Sequence, residues 1–237
     1  MRIDGRSNDD LRTIRVIEGF IKYPKGSVLI EQGDTKVLCS ATINDGVPPF
    51  LNEEETGWLT AEYAMLPAST DIRNTRESVK GKLSGRTQEI SRLIGRSLRA
   101  SIDLTKIKGK TILIDCDVLQ ADGGTRTASI TGSFIALNLA IKSIIEKKII
   151  DEDPIKFLIA AVSVGIYNNE VLLDLNFKED QCVSADLNLV ANENSDIIEI
   201  QVTAEKAPFS KEMLDSMLDV GFKGIASILE LERSILK

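Results

Sequence analysis

The chain has 237 residues, 43% of them hydrophobic, and a formal net charge of −7. That is enough for one large domain or two small lobes with a sizeable core. An acidic chain does not bind polyanions over its whole surface, so any nucleic-acid site must be a local basic patch. Histidine is absent, which excludes Ser-His-Asp and Cys-His catalysis and histidine zinc sites.

Cys39, Cys116 and Cys182 are widely spaced. They fit buried free thiols in a reducing compartment better than a disulfide framework or metal cluster. No basic–apolar–small leader opens the chain. The longest apolar run, Phe157 to Tyr167, is too short to span a bilayer. The expectation is a cytoplasmic protein with no membrane partner.

Residues 27–43 read as a β-hairpin turning at Gly33-Asp34, a two-residue turn of the Gly-X kind. Residues 44–86 read as a long irregular loop rich in Pro, Gly and charge, of the kind that usually carries function. A helix is predicted over 87–101, with Ile90, Leu93, Ile94 and Leu98 on one face. A strand over 111–120 follows, with Ile112, Ile114, Cys116 and Val118 on one side. An amphipathic helix over 129–148 turns Phe134, Leu137, Ile141, Ile144 and Ile145 toward the core, and Asp151 to Pro154 form a charged link.

The second half begins like the first. Strands over 157–166 and 170–177 meet at Asn168-Asn169, another hairpin signal. Two more strands, near 186–191 and 197–203, flank Asn194-Ser195-Asp196. Ser210 is placed to cap a last helix carrying Met213, Leu214, Met217, Leu218, Ile225, Ile228 and Leu229. The pattern predicts an α+β fold of two related halves, roughly 10–150 and 155–237, each with a hairpin, further strands and packing helices. The whole chain, 1–237, is expected to act as one unit.

The most informative stretch joins the strand to the long helix: Gln120-Ala121-Asp122-Gly123-Gly124-Thr125-Arg126-Thr127. Glycines let backbone N–H groups approach a ligand and adopt positive φ. A helix start presents unpaired N–H groups and the positive end of its dipole. With a hydroxyl and a guanidinium added, the junction reads as a cradle for a phosphate-sized anion; the competing reading is a tight turn with a solvated arginine.

Between Arg73 and Arg99 stand eight basic residues against Glu77 and Glu89, the electrostatic footprint of a phosphate-binding surface. Arg92, Arg96 and Arg99 share one helix face; that stripe is as well explained by a solvated or intersubunit surface. Arg73, Arg76 and Arg86 lie in or beside the long loop, and a phosphate role is favoured for them because the arginine fork grips phosphate oxygens bidentately. Asp174, Glu179, Asp180 and Asp186 form the acidic counterpart. Such carboxylates hold a hard cation such as Mg²⁺, supply a general acid, or are ordinary loop acids; Asp186 opens an apolar strand and so stands out. Asp115 and Asp117 either line the same site or are satisfied structurally. An anion cradle, a basic island and a carboxylate pair without histidine suit a reaction in which inorganic phosphate is the nucleophile.

These residues resemble the bacterial ribonuclease PH family over nearly the whole chain. The resemblance rests on Arg6-Ser7-Asn8, residues 26–29 and 33–39, residues 57–63, Gly85-Arg86-Thr87, residues 116–127, the Glu179-Asp180 and Asp186 region, and Thr203-Ala204-Glu205. It implies a ribonuclease PH-like fold and a phosphorolytic 3′→5′ exoribonuclease that trims nucleotides beyond the CCA end of tRNA precursors and runs in reverse from nucleoside diphosphates. It further implies phosphate binding by Arg86, Gly124, Thr125 and Arg126, a catalytic and Mg²⁺ centre at Asp180 and Asp186, RNA binding by Arg73 and Arg76, and a homohexameric trimer of dimers. Two positions depart from the pattern: Ala68 replaces an arginine often found after Leu-Pro, and residues 181–185 lack the usual glutamate. The rival readings are a non-catalytic RNA-binding ring subunit of an exosome-like assembly, a metal-dependent hydrolase, and a nucleotide-binding enzyme unrelated to RNA.

Overall fold

A computed structural model describes Arg2 and residues 4–237. Two antiparallel-based sheets and three long helices organise these residues. The first sheet contains β1 (Ile14–Glu18), β2 (Gly26–Gln32), β3 (Thr35–Asp45), β4 (Trp58–Met65) and β5 (Lys110–Gln120), in the spatial order β1-β2-β3-β5-β4. Only β4 and β5 run parallel. The second sheet contains β6 (Ile159–Tyr167), β7 (Glu170–Leu173), β8 (Ala185–Asn192) and β9 (Ile197–Ala204), in the order β7-β6-β8-β9.

Both predicted hairpins form. Gly33 has φ +57, and Asn168 and Asn169 have φ +49 and +62, left-handed values that match the twist of the flanking strands. The stretch 44–86 is not wholly irregular. It contains β4 and a short helix, α1 (Glu77–Lys80). The β4 signal was present: Leu59, Ala61 and Tyr63 are buried and alternate with Thr60, Glu62 and Ala64, a period of two that the surrounding Pro, Gly and Glu concealed. The short strand β1 also falls outside the predicted elements. Cys182, expected to be buried like Cys39 and Cys116, is exposed because it follows the short helix Phe177–Asp180 at the surface.

Helix α2 (Gly85–Ser101) begins two residues before its predicted start, where the Ser84 hydroxyl accepts a hydrogen bond from Thr87 N. Helix α3 (Thr125–Glu146) begins four residues before its predicted start, directly on the two glycines. The second hairpin ends early: β7 stops at Leu173, and the chain turns into α4 (Phe177–Asp180) through Asp174 at φ +54. Ser210 caps α5 (Lys211–Ile235) by accepting from Met213 N.

Helix α3 joins the halves. It packs on β2 and β3 of the first sheet and on β6 of the second, while α5 packs on β6, β7 and β8. Phe134, Ile135, Ala136, Leu137 and Ala140 are fully buried. Length and composition would let α3 cross a membrane, but 72% of its most apolar stretch is buried within this fold. Close packing against β2 depends on Gly26, where a Cβ would stand 2.0 Å from the Ala136 carbonyl oxygen.

One buried group is out of keeping with its surroundings. Glu232 on α5 is 0% exposed, and neither carboxyl oxygen has a hydrogen-bond partner among the described residues. Burial, reinforced by Glu193 and opposed by Arg233, pushes its carboxyl well above the ordinary range. Replacing an orphaned buried carboxyl with an apolar chain of similar length removes a desolvation cost of about 1–3 kcal/mol. Glu232→Met is expected to raise the melting temperature at neutral pH. The gain should shrink in acid, where the carboxyl is already neutral in both folded and unfolded chains; calorimetry across pH checks this.

Candidate active site

The junction between β5 and α3 is built by local backbone chemistry. Gly123 and Gly124 adopt φ +74 and +63, values that glycine reaches without steric cost. Gly124 is the N-cap of α3 and supplies no side-chain cap, so the first N–H groups of the helix remain available to an anion. Gly123 also permits a close approach: a Cβ there would lie 2.4 Å from the Leu175 carbonyl oxygen. The cradle therefore rests directly on the chain leading into α4. Asp122 Oδ1 accepts from Phe177 N at 3.2 Å across the same contact.

This seam opens into a cavity of about 960 Å³ lined by Arg86, Gly123, Gly124, Thr125 and Arg126 on one side and Asp180, Asp186, Asn188, Glu205 and Lys206 on the other. Phe177 is the single aromatic side chain in its wall. Six of the residues singled out from sequence thus converge, although Arg86 and Asp186 lie a hundred positions apart. Arg73 and Arg76 do not line the cavity and are exposed on the neighbouring loop.

Each element has a reason to present its residue. Arg86 lies in the first turn of α2. Thr125 is held by Tyr63, a buried residue of β4, whose hydroxyl lies 3.0 Å from Thr125 Oγ1. Arg126 is oriented by Gln201 of β9, whose Oε1 accepts from Arg126 Nη1 at 2.7 Å, with Glu89 at 3.6 Å. Asp186 opens β8 opposite Thr203 and Gly165, and Asn188 donates to its Oδ2 at 3.4 Å. Tyr63 and Gln201 could not be assigned from sequence, since neither belongs to a motif that demands an anion.

The acidic group separates into two sets. Asp180 and Asp186 face the cavity, but Glu179 and Asp174 do not. Glu179 is buried, caps α4 in a reciprocal capping box and pairs with Arg2 at 2.6 Å. Asp174 is fully buried and pairs with Arg12 at 2.7 Å. These two are therefore not cation ligands of the cavity. Asp115 and Asp117 likewise lie on β5 outside the cavity. The arginine stripe of α2 also resolves: Arg96 pairs with Glu199 at 2.7 Å. Arg99 stacks on Trp58 at 4.9 Å and donates to Leu59 O. Arg92 is exposed.

The cavity carboxyls are electrostatically strained. Partial burial raises Asp180 above the ordinary range, opposed by Arg86 and Arg126 and reinforced by Glu205. Burial raises Asp186 as well, with Asp180 and Glu205 adding to it and Arg126 opposing. Among the described residues no cluster of three metal-ligating side chains occurs. Two carboxylates with open solvent space nevertheless fit a cation that keeps most of its waters and binds phosphate oxygens, as Mg²⁺ does.

Raised folded-state values carry a stability consequence. The folded chain retains these protons where the unfolded chain has lost them, so the pair lowers stability as pH rises from the ordinary carboxylate range through the raised one. Asp186→Asn is expected to melt at a higher temperature than the parent at neutral pH and at the same temperature below pH about 4. Thermal unfolding at both pH values checks the sign.

Known proteins resemble the chain in sequence and in fold. Residues 10–142 match the 3′ exoribonuclease family, domain 1, and residues 158–224 match its domain 2. The chain is 54% identical over 235 residues to a protein named ribonuclease PH from Syntrophomonas wolfei, covering 99% of this chain and 98% of that one. Its fold resembles rice (Oryza sativa) Rrp46, with a TM-score of 0.82 at 23% identity over 100% of both chains. It also resembles a chain of the Archaeoglobus fulgidus exosome solved with RNA bound to the active site, with a TM-score of 0.80 at 23% identity over 97% of this chain and 91% of that one. With both domain matches in order and a full-length relative at this identity, the chain belongs to the ribonuclease PH-type 3′ exoribonuclease family.

Proposed function

We propose that the chain is a phosphate-dependent tRNA nucleotidyltransferase: a 3′→5′ exoribonuclease that uses inorganic phosphate to trim nucleotides beyond the CCA end of tRNA precursors. The observation that carries this reading is one cavity in which two arginines and an uncapped helix N-terminus face a carboxylate pair. A hydrolase needs no such anion cradle. The near-complete identity of length with a relative named ribonuclease PH supports the same reading.

In this reading Arg86, Gly124, Thr125 and Arg126 hold the attacking phosphate. The two guanidiniums and the helix N-terminus neutralise its charge and orient one oxygen toward the terminal phosphodiester. That oxygen forms a bond to phosphorus, and the bond from phosphorus to the preceding 3′ oxygen breaks. The departing 3′ oxygen takes the electron pair and a proton held at the carboxyl of Asp186. A nucleoside diphosphate leaves, and the RNA is one nucleotide shorter; the reverse direction adds a nucleotide.

Burial raises both Asp180 and Asp186 in the cavity, and a bound cation would favour their ionised forms. These two residues would hold Mg²⁺, which when bound supplies positive charge beside the reacting phosphates. Arg73 and Arg76, exposed outside the cavity, would contact the RNA backbone leading to it. The two halves act as one unit because each contributes one wall of the cavity. We further infer a homohexameric ring, a trimer of dimers, working in the cytoplasm. The fold is shared with chains of two exosome structures, which supports a unit that works in a multisubunit assembly.

A tRNA precursor with extra 3′ nucleotides, incubated with Mg²⁺ and with or without phosphate, tests the reading. Nucleoside diphosphate released only with phosphate is the expected product; monophosphate released without phosphate would overturn it. Arg126→Ala is expected to raise the phosphate KM or cut phosphorolysis by on the order of 10²–10³ while RNA affinity changes little. An equal loss of RNA affinity would remove Arg126 from the phosphate site.

A further inference from the structure

The N-terminal segment drives three arginines into the seam behind the cavity. Arg2 forks onto Glu179, with Nε and Nη2 donating to its two oxygens at 2.8 and 2.6 Å, and also donates to the carbonyls of Leu173 and Asp174 at 2.6 and 3.0 Å. Arg6 lies 3.6 Å from the Asp174 carboxylate and 3.5 Å from that of Glu179. Arg12 meets Asp174 three times: its backbone N and Nε donate to Oδ2 at 2.7 and 3.0 Å, and Nη2 donates to Oδ1 at 2.7 Å. Gln32 Nε2 completes Asp174 at 2.8 Å. None of these side chains lines the cavity.

A buried ion pair is weak evidence for stability, because desolvation offsets most of the attraction. What this one holds is more informative. The Arg12 fork continues from Asp174 to the carbonyls of Asp122 and Gly123, the residues that open the cradle. Thr35 grips the same turn from β3, its buried hydroxyl donating to Gly123 O at 2.6 Å and accepting from Asp122 N at 2.9 Å. A Cβ on Gly124 would stand 3.0 Å from Arg12 Nη2, so the guanidinium lies directly under the cradle floor. At the other end, Glu179 caps the helix whose next residue is Asp180. Asp174 itself is kept at φ +54, a left-handed conformation uncommon for residues other than glycine, asparagine and aspartate.

The geometry points to Arg12, with Asp174 and Thr35, as positioning residues for the attacking phosphate. They touch neither phosphate nor RNA. They set the height of the Gly123–Arg126 cradle against the carboxylate on α4, so that the nucleophile and the group serving the leaving oxygen stay in register. This inference rests on the phosphorolytic reading above. Displacing a reacting group by about 1 Å costs on the order of 10²-fold in rate, so partial loosening of the cradle should weaken the use of phosphate first.

Arg12→Lys keeps a charge opposite Asp174, but a single ammonium cannot bond both carboxylate oxygens and both cradle carbonyls. Thr35→Val keeps shape and charge and replaces the hydroxyl with a methyl that can neither donate nor accept. Both variants and the parent are compared at saturating tRNA precursor with phosphate varied, well below each melting temperature, with RNA affinity measured separately. The phosphate KM is expected to rise about tenfold or more in Arg12→Lys and several-fold in Thr35→Val, with RNA affinity unchanged. A folded Arg12→Lys with the parental phosphate KM would overturn the assignment, as would a loss confined to kcat that tracks the unfolded fraction. If Arg12→Lys fails to fold, an unchanged phosphate KM in Thr35→Val overturns it. Failure of the underlying reading is seen separately, as monophosphate released by the parent without phosphate.

Discussion

The burial of α3 between two sheets is the constraint on which the rest of the molecule depends. A helix covered on both sides must be apolar around most of its circumference, and it must be slender where strands press closest. Phe134, Ile135 and Leu137 supply the bulk. Gly132 supplies the thinness, since a Cβ there would lie 2.8 Å from Cys39 Sγ and from Ile30 Cγ2. Because the helix runs through the interface, its N-terminus must surface where the halves meet. With Gly124 as N-cap, that end carries no side-chain cap and its first N–H groups stay open.

Charge is sorted around this axis. The protein as a whole is acidic, yet the cradle side of the cavity is cationic through Arg86, Arg126 and the helix terminus. The carboxyls divide by depth. Asp174 and Glu179, fully enclosed, are each matched by a forked arginine, as buried charges must be. Asp180 and Asp186 are left without such a partner and carry raised values instead. Raised carboxyls lining a cleft mark a candidate functional site.

Elements with a strong local period were legible. The two hairpins announced themselves through Gly33-Asp34 and Asn168-Asn169, and α5 through Ser210 and its apolar stripe. The strand β4 was obscured because its eight residues follow a stretch of Pro, Gly and Glu that reads as loop. The early start of α3 was missed for a related reason: glycines signal a turn, and nothing in the sequence says on which residue the helix then begins.

The candidate site divides along the same line. Gly123, Gly124, Thr125 and Arg126 are contiguous, so backbone chemistry alone offers an anion cradle there, beside the competing reading of a tight turn with a solvated arginine. The basic run that includes Arg86 is visible as a departure from the chain's overall charge. Which carboxylates face that cradle, and which are consumed by Arg2 and Arg12, was decided only by the fold: Arg12 and Asp174 are separated by 162 positions and meet because α3 holds the halves together. The sequence by itself determined the pieces that arise from neighbouring residues, namely period, turns and local charge. The tertiary structure alone decided pairing and burial, because both depend on contacts between distant segments that no local pattern encodes.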